Sequence, residues 1–392
     1  MSRFKQVVVD VFRATLSRPA ALLVLCCVGC DSGPAPAAEL ASLQGCEDCD
    51  ASDLISRFEL REAPNPVRER PGWSPPRRIV VRGDSALVDW LRPAAPGVDL
   101  VAAPDRGAAV RSVPGADAVI GFCSARIVAA GTDLKWIQLP SAGAENCVGI
   151  PEVRERGILI TNAQRIYGPE ISEHVMAMLF SFSRGLYRYI PEQREGRWNR
   201  GAVPREQLWE LDGRTMLVVG LGGIGTEVAK RAHALGMRVV ATRRSRRTGP
   251  EFVDYVGLAD ELYDLAGQAD VVVNAAPLTP ETAGIFDATF FAEMKPTAYF
   301  INVARGKSVV TADLVEALES GGIAGAGLDV TDPEPLPAEH RLWRLPNVII
   351  TPHVAGQSDR ARGRLWLLAR ENLRRYVAGE RMLSVVDVER GY

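Results

Sequence analysis

The spacing Gly220-x-Gly222-x-x-Gly225 constrains this chain more than any other feature, because of what flanks it. An apolar run, Leu217-Val-Val219, leads in, and a helical pattern from Thr226 to Leu235 leads out. A strand that turns on glycines into a helix is the opening of a βαβ unit. The first glycine permits the tight turn, the second lets a ligand's phosphates approach backbone, and the third lets helix pack on strand. Gly223 and Ile224 complete the turn, and the helix N-terminus presents its amides to an anion. Alone the spacing fits any glycine turn; between this strand and this helix it implies a dinucleotide site.

The next strand indicates which dinucleotide. Enzymes that take NAD place a carboxylate at its end, about 20 residues on, to bond the ribose hydroxyls. Here the chain reads Val239-Val-Ala-Thr242-Arg243-Arg244-Ser245. Two guanidiniums attract a 2′-phosphate, and no carboxylate is there to repel it. Ser245 can add a hydrogen bond. NADP is therefore the expected cofactor, with NAD as the alternative. Arg246 and Arg247 extend the run but suit a solvated loop better than a nucleic-acid patch, since the net charge of the chain is −2.

With 392 residues the chain exceeds one ordinary core, so two domains are expected. Strand-like runs at 78–82, 98–102, 118–122 and 134–139 precede the helical periodicity of Ile171, Val175, Met178, Leu179 and Phe182. Further runs follow at 239–241, 271–274, 299–302, 325–330 and 348–351, and a helix is expected from about Asp359 to Tyr376. Alternating strands and helices imply an α/β fold of two doubly wound parallel sheets with a cleft between them. One is a Rossmann domain at 168–353. The other is a flavodoxin-like substrate domain at 77–167, completed by a return segment at 354–392.

The first 76 residues differ in kind. Arg3, Lys5, Arg13 and Arg18 precede an apolar run at 20–29, too short to span the ~30 Å hydrocarbon core but suited to a secretory signal. Val28-Gly29-Cys30 resembles a bacterial lipoprotein cleavage site, with Cys30 lipidated and 31–76 as a linker. Membrane contact is expected only through that anchor. The alternative is a cytoplasmic enzyme whose true start lies near residue 70. Of the seven cysteines, five lie before residue 50. A core of this size needs no disulfide framework, the Cys46–Cys49 spacing lies in a polar linker, and no cluster has zinc-ligand spacing, so no metal is expected.

Three residues are candidates for chemistry, and two of them stand at strand ends, where an open α/β sheet faces its ligand. Arg305 follows the run 299–303 and His353 follows 348–351, while Glu334 is held between Pro333 and Pro335. Each has an ordinary reading as surface arginine, solvated glutamate or packed histidine. Together they are what reduction of a 2-oxo acid calls for. A guanidinium takes the carboxylate, an imidazolium gives a proton to the developing alkoxide, and a carboxylate keeps the imidazole charged. The other histidines, His174, His233 and His340, suit structural or surface roles.

At these residues, in INVARG, DVTDPEPLP and TPHVAG, the chain resembles the D-isomer-specific 2-hydroxyacid dehydrogenases. The likeness is closest to their glyoxylate and hydroxypyruvate reductases and runs from about Arg77 to about Asp387. The resemblance implies that Arg305, Glu334 and His353 are catalytic, and that Ala142 and Gly143, in the loop Ser141–Glu145, bind the substrate carboxylate with Arg305 and His353. It adds Ala276, Pro277, Thr282, Val303 and Ala304 to the cofactor site. Asp329 either holds the nicotinamide carboxamide or caps its strand, the former being favoured. The resemblance further implies a crossing helix from Pro169, a homodimer formed through the nucleotide domains, and a small 2-oxo acid reduced to its D-2-hydroxy acid. Trp136, Tyr167 and Trp343 are candidates to shape the substrate side-chain pocket. Two rivals remain. One is a formate-dehydrogenase-like enzyme, disfavoured because that branch has Gln at the place of Glu334. The other is a non-catalytic nucleotide-sensing or binding protein of the same fold.

Overall fold

The computed structural model describes residues 51–391. The signal-like segment, Cys30 and the Cys46–Cys49 pair lie outside the described residues. None of the described helices is long and apolar enough to cross a membrane.

Helix α1, Ala51–Phe58, comes before the first sheet and carries its buried residues, Leu54 and Phe58, four apart on one face. They pack with Leu60 against Ile166, Leu368 and Leu383. The chain then lies along the body: the Val67 amide donates to the Glu380 carbonyl at 2.8 Å, and Glu62 pairs with Leu383. The expectation of a linker throughout 31–76 therefore does not hold for 51–76. A few apolar anchors dispersed among charges and prolines suffice to dock a surface strap, and they leave no periodic signal.

The first sheet contains β1 (Arg78–Arg82), β2 (Asp99–Ala103), β3 (Ala118–Ile120), β4 (Trp136–Gln138) and β5 (Leu159–Thr161). All pairs are parallel, in the order β2-β1-β3-β4-β5, which is the flavodoxin-like order. Asp84, Asp105 and Ser124 cap the helices after β1, β2 and β3 by accepting from the amide three residues on. Each cap fixes where a strand's loop becomes a helix, and so where the carboxyl edge of the sheet lies.

Helix α2, Gly168–Ser183, carries the chain to the second sheet. It ends one residue beyond Phe182, the last of the periodic apolar positions. Gly185, at φ 68°, turns the chain into a separate helix, Leu186–Arg194. The second sheet holds β6 (Thr215–Val219), β7 (Arg238–Thr242), β8 (Tyr255–Gly257), β9 (Val271–Asn274), β10 (Tyr299–Asn302), β11 (Gly325–Leu328) and β12 (Val348–Ile350). Its order is β12-β11-β10-β9-β6-β7-β8, all parallel. Successive residues of β6 serve opposite faces. Met216 and Val218 join a core with α2 and with α3, Gly223–Ala234, while Leu217 and Val219 join Phe290, Phe291 and Phe300. A strand covered on both sides needs apolar residues at every position, hence the unbroken run.

Helix α4, Ala361–Ala378, returns to the first sheet, where Trp366, Leu373 and Tyr376 pack with Ile79 and Trp136. The two crossings, α2 and α4, are joined by a buried ion pair of Glu170 with Arg364 at 2.5 Å. The two-sheet α/β architecture is the one expected. The disulfide Cys123–Cys147, Cα atoms 5.7 Å apart, was not expected. It ties the loop after β3 to the short helix Glu145–Val148, a local staple where the chain leaves the sheet edge.

Candidate active site

The carboxyl ends of both sheets meet at a cleft of about 620 Å³, lined by Arg305, Glu334 and His353 from one side and Gly143 and Glu145 from the other. His353 follows β12 with φ 54°, a left-handed backbone that favours glycine. Asp329 holds it there. The Asp329 carbonyl accepts from the His353 amide at 2.8 Å, and its carboxylate accepts from Thr351 Oγ1 and the amides of Val354 and Ala355 at 2.7, 2.9 and 3.0 Å. Asp329, 2% exposed, thus pins the histidine loop. Of the two roles left open by the sequence, the strand-end role is the one the geometry displays. His174 braces the same loop through Thr351 at 2.9 Å.

His353 Nδ1 lies 2.7 Å from Glu334 Oε1. A carboxylate only accepts, so Nδ1 carries the proton and Nε2 is turned to the cleft chemistry. Both side chains stay more than two-fifths exposed, at 45% and 43%, so a small substrate can reach the pair.

Arg305 Nε donates to Glu145 Oε1 at 2.6 Å, and one terminal nitrogen donates to the Ala304 carbonyl at 2.7 Å. Its other terminal nitrogen occupies the place a Cβ on Gly143 would fill, so a side chain there would displace the guanidinium. The substrate loop is braced through its carbonyls. Pro140 accepts from Tyr167 at 2.7 Å, Ala142 from Asn162 at 2.6 Å and Gly143 from Ser141 at 2.8 Å. Burial pushes the Tyr167 phenol up to about 12, aided by Glu170, so it remains a donor. The amides of Ala142 and Gly143 have no protein acceptor among the described residues, as a carboxylate-binding loop requires.

The glycine turn fits a dinucleotide. Gly220, at φ 93°, lies so close to Ala276 that a Cβ would come within 2.7 Å of its backbone, whereas Gly222 faces open space. A Cβ on Gly225 would strike the Gly220 carbonyl, and Ile224 packs beneath the turn. The Thr242 carbonyl accepts from the Gly220 and Leu221 amides at 3.2 and 3.3 Å. Arg243 caps the Leu221 carbonyl at 2.9 Å, and its Nε is buried without a partner. Burial, together with the charges of Arg61, Arg246 and Arg165, holds its pKa below the ordinary value. Arg244 and Ser245 are exposed beside it, while Arg247 is committed to Glu261 at 2.6 Å. Thr282 closes the Pro277 turn by donating to its carbonyl at 2.6 Å, and Val303 and Ala304 are buried at the end of β10.

Some expectations need correction. Trp136 is fully buried in the first sheet, with Nε1 bonded to Thr161, and Trp343 is exposed on the surface; neither lines the cleft. Conversely, Arg82 and Arg106 line it and were not singled out. Arg82 lies over the Phe122 ring at 5.4 Å. Glu145, by sequence only the end of a loop of amides, is the ion-pair partner of Arg305. Its charge was the available signal.

Residues 176–355 match the profile of the D-isomer specific 2-hydroxyacid dehydrogenase NAD-binding domain. The human glyoxylate reductase/hydroxypyruvate reductase is 37% identical over 261 residues, 65% of this chain and 78% of that protein. A glyoxylate reductase of Thermofilum pendens is 33% identical over 73% of this chain and 86% of its own length. Among solved structures, the NADPH-dependent glyoxylate/hydroxypyruvate reductase of Sinorhizobium meliloti, in complex with NADP and sulfate, superposes with a TM-score of 0.69. It is 30% identical, and the match takes in 81% of this chain and 100% of that one. With the arginine and the histidine–glutamate pair on one cleft and a glycine turn that fits a dinucleotide in the same domain, this chain belongs to the D-isomer specific 2-hydroxyacid dehydrogenase family, oxidoreductases that act on CH–OH donors.

Proposed function

We propose that the protein reduces a small 2-oxo acid of the glyoxylate or hydroxypyruvate kind to the D-2-hydroxy acid, with NADPH preferred over NADH. The observation that carries the reading is the His353–Glu334 pair at 2.7 Å in the same cleft as Arg305.

The reduced dinucleotide, when bound, supplies the hydride. The residues of the chain do the rest. Arg305 and the free amides of Ala142 and Gly143 take the substrate carboxylate, a planar group that a guanidinium grips and an ammonium would not. His353 Nε2 gives its proton to the carbonyl oxygen as negative charge develops there. Glu334 fixes the ring, and Asp329 fixes the backbone beneath it. The turn at Gly220, Gly222 and Gly225 holds the pyrophosphate, and Arg243 with Arg244 favours a 2′-phosphate. The reductase relatives in humans and Sinorhizobium meliloti support the substrate class, and the second supports the cofactor choice.

The stereochemical half of the proposal is tested with hydroxypyruvate and chiral chromatography of the product. D-glycerate alone is expected; L-glycerate or a racemate counts against it. The reading includes a homodimer and an N-terminal lipid anchor at Cys30. Light scattering of the purified protein tests the former, and membrane fractionation of Cys30→Ala tests the latter.

A further inference from the structure

The glycine turn is touched from outside its own sheet. Atoms of Arg165, which precedes α2, stand 2.7 Å from where a Cβ on Gly223 would be. Arg165 has φ 75°, a left-handed backbone rare for any residue but glycine, and such positions persist only where surroundings over-determine them. The surroundings here are the chain end of α1. Arg165 Nη1 donates to the Phe58 carbonyl at 3.1 Å and to Glu59 at 2.9 Å, and Glu59 itself has φ 47°. Arg165 thus lies between the two: its Cα and stem touch the turn that faces phosphates, and its guanidinium holds the strap that precedes β1.

Two residues after Glu59, Arg61 is exposed and forms no ion pair among the described residues. It is near enough to Arg243 for its charge to disfavour a second cation there, as do Arg246 and Arg165. Among the described residues, Glu59 is the one carboxylate paired with any of these four guanidiniums. The Arg243 Nε is buried and unpartnered. Four like charges gathered around one carboxylate repel each other, and an anion that joins them relieves the repulsion.

We propose that Arg165 and Arg61 are cofactor ligands, Arg165 on the pyrophosphate at the glycine turn and Arg61 with Arg243 on the 2′-phosphate. Residues 51–62 are then a wall of the nucleotide site, supplied from outside the nucleotide domain. The proposal rests on the NADPH reading above.

The test is equilibrium binding of NADPH, NADH and 2′,5′-ADP to the full chain by titration calorimetry. Arg165→Ala is expected to weaken both NADPH and NADH roughly tenfold or more, the loss typical of a charged hydrogen bond. Arg61→Ala is expected to weaken NADPH and 2′,5′-ADP more than NADH. Glu59→Gln frees Arg165 of its counter-charge, so NADPH affinity should hold or rise. If α1 acted through packing alone, Glu59→Gln would weaken binding along with Arg165→Ala, and the proposal would fall. Unchanged affinities in both arginine variants, beside a wild type that binds NADPH, would also overturn it and leave the NADPH reading intact. A wild type that binds neither dinucleotide would instead overturn the reading on which it rests.

Discussion

Arg305 donates through Nε to Glu145 at 2.6 Å, so a carboxylate of the protein already holds the guanidinium that a substrate carboxylate needs. The two residues come from opposite sides of the cleft and are only about one-quarter exposed, at 27% and 24%. The pair positions Arg305 over Gly143 and, on the proposed function, competes with substrate for it.

Competition has a measurable sign. Glu145→Gln removes the competing charge but keeps a hydrogen-bond partner, and KM for the 2-oxo acid is expected to fall about threefold to tenfold with kcat little changed. A charged hydrogen bond is worth about 1.5–3 kcal/mol, and only part of it is released. A KM that rises instead shows that Glu145 serves chiefly to position Arg305.

Asp329 acts on the histidine loop through three hydrogen bonds to its carboxylate. Asp329→Ala should let His353 leave its left-handed backbone, and a displacement of ~1 Å can cost ~100-fold in rate. The expected result is a kcat lowered by one to two orders of magnitude, with NADPH affinity retained, read by steady-state kinetics beside a binding titration. Loss of NADPH binding in step with kcat would place Asp329 on the cofactor.

The bridge Cys123–Cys147 closes a loop of sequence separation 24. Loop closure of that length is worth about 3 kcal/mol in the chain-entropy view. Thermal unfolding with and without reductant, and of Cys123→Ala, should show a lower melting temperature in the reduced and mutant proteins by comparable amounts. Equal melting temperatures would mean the bridge contributes nothing to stability.

At the crossing helices, burial pushes the Glu170 carboxyl above its ordinary 4.5, against the pull of Arg364. Arg364→Ala leaves that carboxylate buried and unpaired, at a cost of about 3–5 kcal/mol near neutral pH. The folded pKa then rises further above the unfolded one. Such a group contributes stability that is present below the unfolded pKa and lost as pH rises through the folded value. The variant's deficit should therefore shrink as pH falls toward 4.5, as followed by urea unfolding. A deficit independent of pH would assign the loss to packing of the arginine stem.

Much of the fold was legible because its strands are apolar runs of four or five residues ended by glycine or by capping residues, as in Thr215–Val219 and Val271–Asn274. Leu159–Thr161 and Tyr255–Gly257, strands of three, went unread. Helix α1 went unread because two apolar residues, Leu54 and Phe58, do its docking. In the site, Arg305, Glu334 and His353 were legible because their motifs resemble the family's and because strand ends and fixed prolines mark them. Glu145, Arg82 and Arg165 were not, since their significance lies in what the opposite sheet or a distant strap brings to them. Trp136 misled for the complementary reason: a large aromatic fits a pocket or a core, and only packing decides.

The most direct test of the central claim is absorbance at 340 nm with purified protein, glyoxylate or hydroxypyruvate, and NADPH beside NADH. Turnover faster with NADPH is expected, with kcat reduced about 10²–10⁴-fold in His353→Ala, the usual share of a general acid. A folded protein that binds NADPH and turns over neither substrate, or one whose His353→Ala variant is as fast as wild type, would contradict the account.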